Sequence, residues 1–416
     1  MKEKIKVVLL CSYSDKKLRS YLSFPWWHWG NIIRRVLHMS NETDYAVWDS
    51  NAIAELEKCD DVEVHVVAPH SGVARIHEFV EKGIHYHVFW SEWDIVTEKI
   101  KRRFDLRSLN SFRHHRKIIL KIINQINPDV VHVIGVENKF YSMAVLDLPK
   151  TLPVIAQLQT LVSDERFKEN CGESENEYLF DSEIEKTILR RADYVGTKVI
   201  RYREIISNSI KPDVKFLDTS LPLTEEVSQE NTKKEYDFVY FAVDISKAAD
   251  WAIEAFALTH QKHPGVTLDV VGGYTKDFKE FLDNRINELD ISKQVTFEGK
   301  LPTHQDVIKQ IRKSRFAVLP LKIDMISGTI REAMANGIPV VTTETPDTPK
   351  LNIKAQTVLI AKNGDFQSIS DKMCELLENP QLAEAIRSNA FELSLDRESN
   401  KEIVAKWVSA YYKISC

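Results

Sequence analysis

Cysteine is scarce in this chain, and several common catalytic motifs are missing. Five cysteines are scattered over 416 residues, and no two of them form a Cys-x-x-Cys pair. This number and spacing exclude a disulfide framework and a cysteine-based zinc site, and they favour a reducing compartment. The sequence also lacks a Walker loop, a Gly-x-Ser-x-Gly elbow and a Gly-x-Gly-x-x-Gly turn. The functions that those motifs indicate are therefore not supported.

An excess of one charge and a long apolar run are absent as well. Lys+Arg 56 against Asp+Glu 61 gives a net charge of -5, too close to neutrality to indicate a nucleic-acid-binding protein. No run approaches the roughly 18 apolar residues that a membrane-spanning helix needs. The N-terminal apolar run, Ile5 to Cys11, is too short for a signal peptide and is not followed by a small-residue cleavage site. We therefore expect a cytoplasmic protein.

Short β-branched runs alternate with longer amphipathic ones along the whole chain. The length predicts two or three domains, and the 43% of hydrophobic residues is enough for large buried cores. Near-continuous apolar strands separated by helices are typical of parallel sheets covered on both faces. Because the alternation runs through two comparable halves, we predict two Rossmann-like, doubly wound α/β domains. The predicted strands are KIKVVLLC, VEVHVVAP, DVVHVIG, LPVIAQLQ and ADYVGT, then YDFVYFA, VTLDVVGG, QVTFEG, RFAVLPL, GIPVVTT and TVLIA.

The predicted boundary lies in the polar stretch between about residues 205 and 235. We assign 1–205 to an N-terminal domain, 206–395 to a C-terminal domain and 396–416 to a final helix that packs back on the first domain. In such folds ligands bind at the carboxyl ends of the strands, facing the cleft between the domains. The loops that follow strands are therefore the place to search for chemistry.

One such segment is LKIDMISGTIREAMANGIPVVTT, residues 321–343. A small-residue loop, Ser327-Gly328-Thr329, runs into a predicted helix, whose free N–H groups and dipole can bind an anion. On spacing alone, a structural alternative is favoured. Thr329 and Glu332 fit a capping box, in which Glu332 only satisfies the end of its own helix.

This segment resembles the signature of the retaining glycosyltransferases of family 4, which have the two-domain GT-B fold. The run from Glu332 through Ala333, Met334 and Gly337 to Pro339 matches the end of the family's Glu-x7-Glu motif, with Asp324 at the first acidic position. The resemblance implies that Glu332 binds the ribose hydroxyls of a nucleotide-diphosphate sugar and that Asp324 contacts the sugar. It also implies that the two domains face a central cleft, with no cofactor and no metal required.

Further donor-site residues are implied by the same resemblance. Lys247, at the start of a predicted helix, falls on the lysine that faces the donor diphosphate, whereas the family's preceding arginine is Ala242 here. From its position in the sequence alone, Lys247 would be interpreted as a solvated surface lysine. The resemblance also assigns a glycine turn, Gly272 and Gly273, to the donor site. A second loop, with Gly299 and Lys300, is expected to pack on the nucleotide base, where Gly299 would allow the backbone to approach the base closely.

The first half matches the family less well. Asn138 and Gln159 follow predicted strands and would line the acceptor side of the cleft. Gln159 stands where many relatives carry a histidine, and a glutamine can orient a sugar through hydrogen bonds but cannot perform acid–base chemistry. A glutamine without any functional role fits the sequence equally well.

Two segments have both a structural and a functional interpretation. The aromatic cluster in 23–31 is compatible with core packing, with stacking on a sugar or with contact to a membrane interface. The basic segment 99–121 is compatible with a solvated helix face or with a patch that binds anionic lipid. Metal binding is not predicted, because Asp-x-Asp is missing and because His85-x-His87 and His114-His115 have no carboxylate nearby in the sequence.

The sequence therefore predicts a glycosyltransferase that moves a sugar from a UDP- or GDP-sugar to a saccharide or lipid-linked acceptor with retention of configuration. A role in bacterial polysaccharide or glycoconjugate synthesis, peripheral on the inner face of the cell membrane, is implied by the resemblance alone. Two alternatives stay open. One is a catalytically degenerate GT-B subunit used for binding or assembly, and the other is a different GT-B enzyme such as a nucleotide-sugar epimerase.

Overall fold

A computed structural model describes most of the chain. The chain divides into two compact units. The described residues are 4–36, 44–90, 92–104, 106–170, 174–223, 232–242, 247–322 and 326–415. The N-terminal unit comprises Met1–Thr224 together with Glu398–Cys416, and the C-terminal unit comprises Glu225–Arg397. Each unit is an α/β domain built on its own, mainly parallel sheet.

The N-terminal unit contains an eight-stranded sheet in the order β3-β4-β2-β1-β5-β6-β7-β8. All neighbouring strands are parallel except β3 and β4, which form an antiparallel hairpin. The strands are β1 Ile5–Leu10, β2 Val62–His70, β3 His77–Glu81, β4 Ile84–Trp90, β5 Val130–Ile134, β6 Val154–Gln157, β7 Tyr194–Gly196 and β8 Lys215–Leu217.

Helices cover this sheet. They are α1 Lys16–Ser20, α2 Trp29–Val36, α3 Val47–Leu56, α4 Glu92–Arg103, α5 Arg113–Ile126, α6 Lys139–Ser142, α7 Glu165–Asn170, α8 Glu175–Arg191, α9 Ile200–Ile205 and α16 Asn400–Ser415. The last helix, α16, packs beside α3 against the middle of the sheet, where Trp407 and Tyr411 are fully buried. The Tyr411 hydroxyl lies 2.7 Å from Nδ1 of His132 on β5, so α16 is tied to the sheet by a polar contact as well as by packing.

The C-terminal unit contains a six-stranded parallel sheet in the order β11-β10-β9-β12-β13-β14. Its strands are β9 Tyr236–Phe241, β10 Leu268–Val271, β11 Val295–Gly299, β12 Ser314–Val318, β13 Val340–Thr343 and β14 Leu359–Ala361. Its helices are α10 Ala249–Lys262, α11 Lys276–Glu288, α12 His304–Ile311, α13 Gly328–Ala335, α14 Phe366–Glu378 and α15 Pro380–Leu395. Strands β9, β10, β12 and β13 are buried almost throughout, as apolar strands covered on both faces should be.

The fold class predicted from the sequence is confirmed, and the division between the units falls within the predicted stretch of about 205–235. Residues 206–224, which the prediction assigned to the C-terminal domain, belong to the N-terminal unit. The chain beyond α9 continues through a π-helical turn, Ile206–Ile210, into β8, which pairs with β7 and so extends the first sheet. A strand of three residues carries too little periodicity to be recognised in the sequence. Within the described ranges, every helix falls short of the length or apolarity that crossing a bilayer requires.

Candidate functional site

The carboxyl ends of β9 and β12 form the topological switch point of the C-terminal sheet. From β9 the chain moves outward through β10 to β11, whereas β12 lies on the other side of β9 and continues through β13 to β14. Loops diverge at such a point and leave a crevice for a ligand. Lys247 follows β9, and Ser327–Thr329 follow β12, so the fold brings two predicted donor-site segments to the same edge of the sheet.

The N-terminus of α13 has the geometry of an anion site. Ser327 is the N-cap, and its Oγ accepts from the backbone N–H of Ile330 at 3.4 Å and lies 2.7 Å from Oγ1 of Thr329. Gly328 is exposed, and a Cβ placed on it would meet no atom within 4 Å. The first turn of α13 is therefore capped by a small polar residue while the space beside Gly328 stays open.

Glu332 has no capping role in this helix. Because the N-cap is Ser327 and not Thr329, the capping-box interpretation of Thr329 and Glu332 is wrong. The Glu332 carboxylate instead lies 3.2 Å from Nε2 of His304, the first residue of α12, and both side chains are mostly shielded from solvent. Sequence reasoning missed His304, although it lies in the segment 295–311, whose resemblance to the family pointed to the nucleotide base.

Two glycines at the carboxyl end of β10 allow close packing with neighbouring loops. A Cβ on Gly272, which has φ +152°, would lie 2.0 Å from the carbonyl oxygen of Ala242, at the end of β9. A Cβ on Gly273 would lie 2.9 Å from Cβ of Lys300, so the lysine stem passes directly over this glycine. Burial lowers the pKa of the Lys300 ammonium.

Gly299 has a conformational reason to be glycine. A Cβ on this residue would meet no protein atom within 4 Å, so the space beside it is open, and its predicted approach to a nucleotide base stays a prediction. The residue has φ +71° and ends β11, where the pairing with β10 shifts register. Glycine is needed because the bulged backbone enters the left-handed region.

Of the two remaining predicted donor-side residues, the structure describes Lys247 but not Asp324. Lys247 lies two residues before the start of α10, and its carbonyl oxygen accepts from the Tyr240 hydroxyl at 2.8 Å, which ties the segment to β9. Lys322, which sequence reasoning did not select, lies at the same sheet edge and pairs with Asp250 in the first turn of α10 at 3.1 Å.

The N-terminal sheet has a switch point of its own, between β1 and β5, and polar side chains gather there. Oε1 of Glu137 accepts from Nδ2 of Asn138 at 3.0 Å and from the Gln159 amide at 2.8 Å, and the Gln159 oxygen accepts from Nε1 of Trp48 at 2.9 Å. A side chain on Gly135, which has φ +81°, would collide with both amides at 2.6 and 2.7 Å. The fold thus joins the two predicted acceptor-side residues through a carboxylate that the sequence analysis did not identify.

Two acids at this point are buried with incomplete hydrogen bonding. Asp49 on α3 is 1% exposed, and neither of its carboxyl oxygens has a hydrogen-bond partner, nor has Oε2 of Glu137. Burial raises the pKa of Glu137 to about 8, with repulsion from Glu185 adding to the rise. Burial, followed by repulsion from Glu137, also raises the pKa of Asp49 well above its usual range. Unsatisfied buried carboxyls are costly, which makes them candidates for a functional role.

The aromatic and basic segments of the N-terminal unit are only partly engaged in packing and ion pairs. Trp29 packs edge-on against Trp90 at 6.1 Å between ring centroids, while Trp26 and Trp27 are 69% and 62% exposed. Four of the basic residues in 99–121 form ion pairs inside the unit. These pairs are Lys101 with Glu98, Arg102 with Glu177, Arg107 with Asp181 and Arg116 with Asp147.

Comparison with known proteins gives a family match for the C-terminal unit. Residues 223–393 match the family model described as glycosyl transferases group 1. A curated relative, the 2-deoxystreptamine N-acetyl-D-glucosaminyltransferase of Niallia circulans, is 22% identical over 130 residues, which is 31% of this chain and 31% of that protein. The match thus spans about a third of the curated relative.

Solved structures resemble the chain over nearly its whole length. HepE of Anabaena in complex with UDP and glucose aligns with a TM-score of 0.66 and 14% identity, covering 98% of this chain and 99% of that one. The sucrose-phosphate synthase of Thermosynechococcus elongatus aligns with a TM-score of 0.67 and 14% identity, covering 99% of both chains. The chain therefore has the GT-B fold of glycosyltransferases, and its C-terminal unit carries the match to the group 1 family model.

Proposed function

We propose that this protein is a glycosyltransferase that uses a nucleotide-diphosphate sugar, with UDP as the nucleotide, and retains the anomeric configuration. One observation carries the proposal. The residues matched by the family model place an open helix N-terminus and Lys247 at the switch point of the C-terminal sheet. Support for UDP comes from HepE, which was solved in complexes with UDP and with UDP-glucose. Retention is proposed on the resemblance of 326–341 to the retaining family.

The proposed donor site works by stabilising charge on the leaving diphosphate. Backbone N–H groups at Gly328 and Thr329 are oriented by α13 and need no reorganisation when negative charge grows. Lys247 and the solvent-exposed Lys300 add positive charge, which substitutes for the cation missing at Ala242. Glu332, held by His304, would accept hydrogen bonds from the ribose hydroxyls, and Asp324 would contact the sugar.

The proposed acceptor side is the switch point of the N-terminal sheet. Asn138 and Gln159 present amides there, and Glu137 supplies a carboxyl whose pKa of about 8 keeps it largely protonated at neutral pH. A protonated carboxyl can donate one hydrogen bond and accept another, as a sugar hydroxyl requires. We propose a saccharide or lipid-linked saccharide as the acceptor, in a reaction that builds a polysaccharide or glycoconjugate.

Ligand-dependent melting tests the donor assignment. A nucleotide at 100 times its dissociation constant should add about 2.7 kcal/mol of stability. We expect UDP to raise the melting temperature of wild type more than GDP, ADP, CDP or dTDP does. The variant Lys247→Ala should lose this response, while Lys372→Ala, which changes a partly exposed lysine paired with Glu375 on α14, should keep it. No response of wild type to any nucleoside diphosphate would refute the donor site.

A non-catalytic binding subunit is the second candidate, and Ala242 and Gln159 favour it. They replace a cation and a histidine that the resembling family usually carries. The two functions separate in an assay of UDP release from UDP-glucose and UDP-N-acetylglucosamine, with and without an oligosaccharide acceptor. Acceptor-dependent release supports the transferase. Stabilisation by UDP without release under any of these conditions supports the binding subunit.

A further inference from the structure

Three histidines and two glutamates lie on one face of the N-terminal sheet, on strands β2, β3 and β4. Glu63 and His65 lie two residues apart on β2, and His85 and His87 do so on β4. His65 is the register partner of His85, and Glu78 on β3 is the register partner of His87. Alternating side chains in a strand point to opposite faces. The neighbouring residues Val64, Val66 and Tyr86 accordingly belong to the hydrophobic core on the other face.

The sequence-based statement that His85 and His87 lack carboxylate partners is wrong, because pairing of the strands supplies them. Nδ1 of His87 lies 3.2 Å from Oε1 of Glu78, and Nε2 of His65 lies 3.0 Å from Oε1 of Glu63. Glu78 and His87 are nine residues apart, and they meet only because a hairpin turn folds β3 back along β4.

Three of these side chains have the spacing of metal ligands. One carboxylate oxygen of Glu63 and one ring nitrogen each of His65 and His85 lie within 4.8 Å of one another. Ligand atoms around a tetrahedral zinc ion with bonds near 2.0–2.1 Å are about 3.4 Å apart, so small rotations of the side chains would close the set. The imidazoles of His65 and His85 are stacked with 4.5 Å between ring centroids, which brings both rings to the same space.

The other two residues form a chain of hydrogen bonds behind His65. Nδ1 of His65 lies 3.1 Å from Nε2 of His87, whose Nδ1 faces Glu78. The path from Glu63 through His65 and His87 to Glu78 contains three contacts, and each needs an N–H donor to be a hydrogen bond. Two neutral imidazoles carry only two N–H groups, so one of the three contacts has no hydrogen. If the two N–H groups serve His87 and Glu78, then Nε2 of His65 presents a lone pair to the Glu63 carboxylate. A cation between these two atoms turns that repulsion into attraction.

We propose that Glu63, His65 and His85 bind a divalent cation of the zinc class, with His87 and Glu78 as positioning residues. A set of two imidazoles and one carboxylate suits zinc among the common biological cations. In established zinc sites the second ring nitrogen of a ligating histidine donates to a carboxylate, carbonyl or water, and the His87–Glu78 chain provides such a path for His65. The Glu63 side chain is 33% exposed, so water can complete the coordination and the ion can enter from solvent.

The proposed role of the ion is to join β2 to β4, and through His87 to the β3 edge of the sheet. A site built by strand pairing exists only in the folded chain, so metal binding stabilises the N-terminal unit. This proposal is independent of the proposed sugar transfer, because it uses none of the residues at either switch point.

Isothermal titration with ZnCl2 tests the proposal on untagged full-length protein that has been stripped with a chelator and then freed of it. We expect one equivalent of zinc to bind to wild type and to raise its melting temperature. Both effects should be lost in His65→Asn and in His85→Asn. The variant His87→Gln should bind zinc 10- to 100-fold more weakly, because it removes a positioning contact and no ligand.

Two matched controls separate this site from other binding. His77 lies on β3 as the register partner of Val88, a core residue on the opposite face, so His77→Asn should bind zinc like wild type. His263, Cys374 and Glu378 form the other group of three such ligands among the described residues, and His263→Asn should also leave binding unchanged.

Cobalt substitution distinguishes the two groups by spectroscopy. Co²⁺ in the proposed site should give visible absorption without a thiolate-to-metal charge-transfer band, whereas coordination by Cys374 would produce that band. Failure of wild type to bind stoichiometric zinc would overturn the proposal. So would binding that persists in folded His65→Asn and His85→Asn, loss in His263→Asn, or a thiolate band with cobalt.

Discussion

The buried carboxyl of Glu137 should make the N-terminal unit less stable as the pH rises. The pKa of this group is about 8 in the folded chain against an ordinary value of 4.5. Between these values the folded state holds a proton that the unfolded state has released, so stability is complete below about pH 4.5 and is lost as the pH approaches 8. At 1.36 kcal/mol for each pH unit, the full loss is about 5 kcal/mol, of which about 3.5 falls between pH 5 and 8.

The variant Glu137→Gln isolates this contribution. Glutamine keeps an oxygen for the bonds from Asn138 and Gln159 but cannot ionise, so its stability should not carry this pH dependence. The assay is urea unfolding followed by tryptophan fluorescence. Seven of the eight tryptophans lie in the N-terminal unit and only Trp251 lies in 225–397, so the signal reports mainly on the unit that contains Glu137. The loss of stability from pH 5 to pH 8 should be about 3 to 4 kcal/mol larger in wild type than in the variant.

The exposed acid Glu183 provides the control. Its side chain is 61% exposed on α8, so Glu183→Gln should leave the pH profile of wild type unchanged. Parallel profiles for wild type and Glu137→Gln, agreeing within about 0.5 kcal/mol, would show that Glu137 titrates normally. The reasoning from burial would then be refuted, together with the protonated carboxyl proposed for the acceptor side.

Three further substitutions test the structure elsewhere. Gly272→Ala should lower the stability of the C-terminal unit by more than about 3 kcal/mol in thermal melts, because the new Cβ would lie 2.0 Å from the Ala242 oxygen. Ser327→Ala should cost about 1 kcal/mol by loss of a helix cap and should weaken UDP binding measured by calorimetry. Tyr411→Phe should cost about 1–3 kcal/mol in urea unfolding, because it removes the buried partner of His132.

Each of these substitutions has a matched control. Gly265→Ala introduces a Cβ into open space and should change stability little, and an equal loss at both glycines would argue against the steric reason. Asn379→Ala removes the side-chain cap of α15, so it should cost stability without the loss of UDP binding expected at Ser327. Tyr412→Phe removes a bond to the Asp61 carbonyl at an exposed position, and a cost equal to that of Tyr411→Phe would refute the argument from burial.

Local sequence patterns were sufficient to predict most strands and several helices. Runs such as Val130–Ile134 and Leu268–Val271 are buried throughout because both faces of the sheet are covered, and each is apolar except for a single polar residue. The β3–β4 hairpin was missed, although its turn at Lys82 and Gly83 has φ of 49° and 81°, and a Lys-Gly pair between alternating strands is a readable signal. The short strand β8 offered no comparable signal.

The sites depended on tertiary structure to different degrees. The segment from Ser327 to Glu332 is continuous in the sequence, so its helix start and its resemblance could be recognised directly. Whether Glu332 caps its own helix or faces another group was decided by His304, 28 positions earlier in the chain, because the fold brings the start of α12 to the Glu332 carboxylate.

The acids and histidines of the N-terminal unit could not be predicted as sites. Asp49 and Glu137 are brought to one switch point by the order of the strands, and His65 meets His85 through the register of β2 and β4. Secondary structure follows from interactions between residues two to four positions apart, which the sequence displays directly. A buried carboxyl pair or a set of metal ligands follows from strand order and register across tens of residues, which only the folded sheet determines.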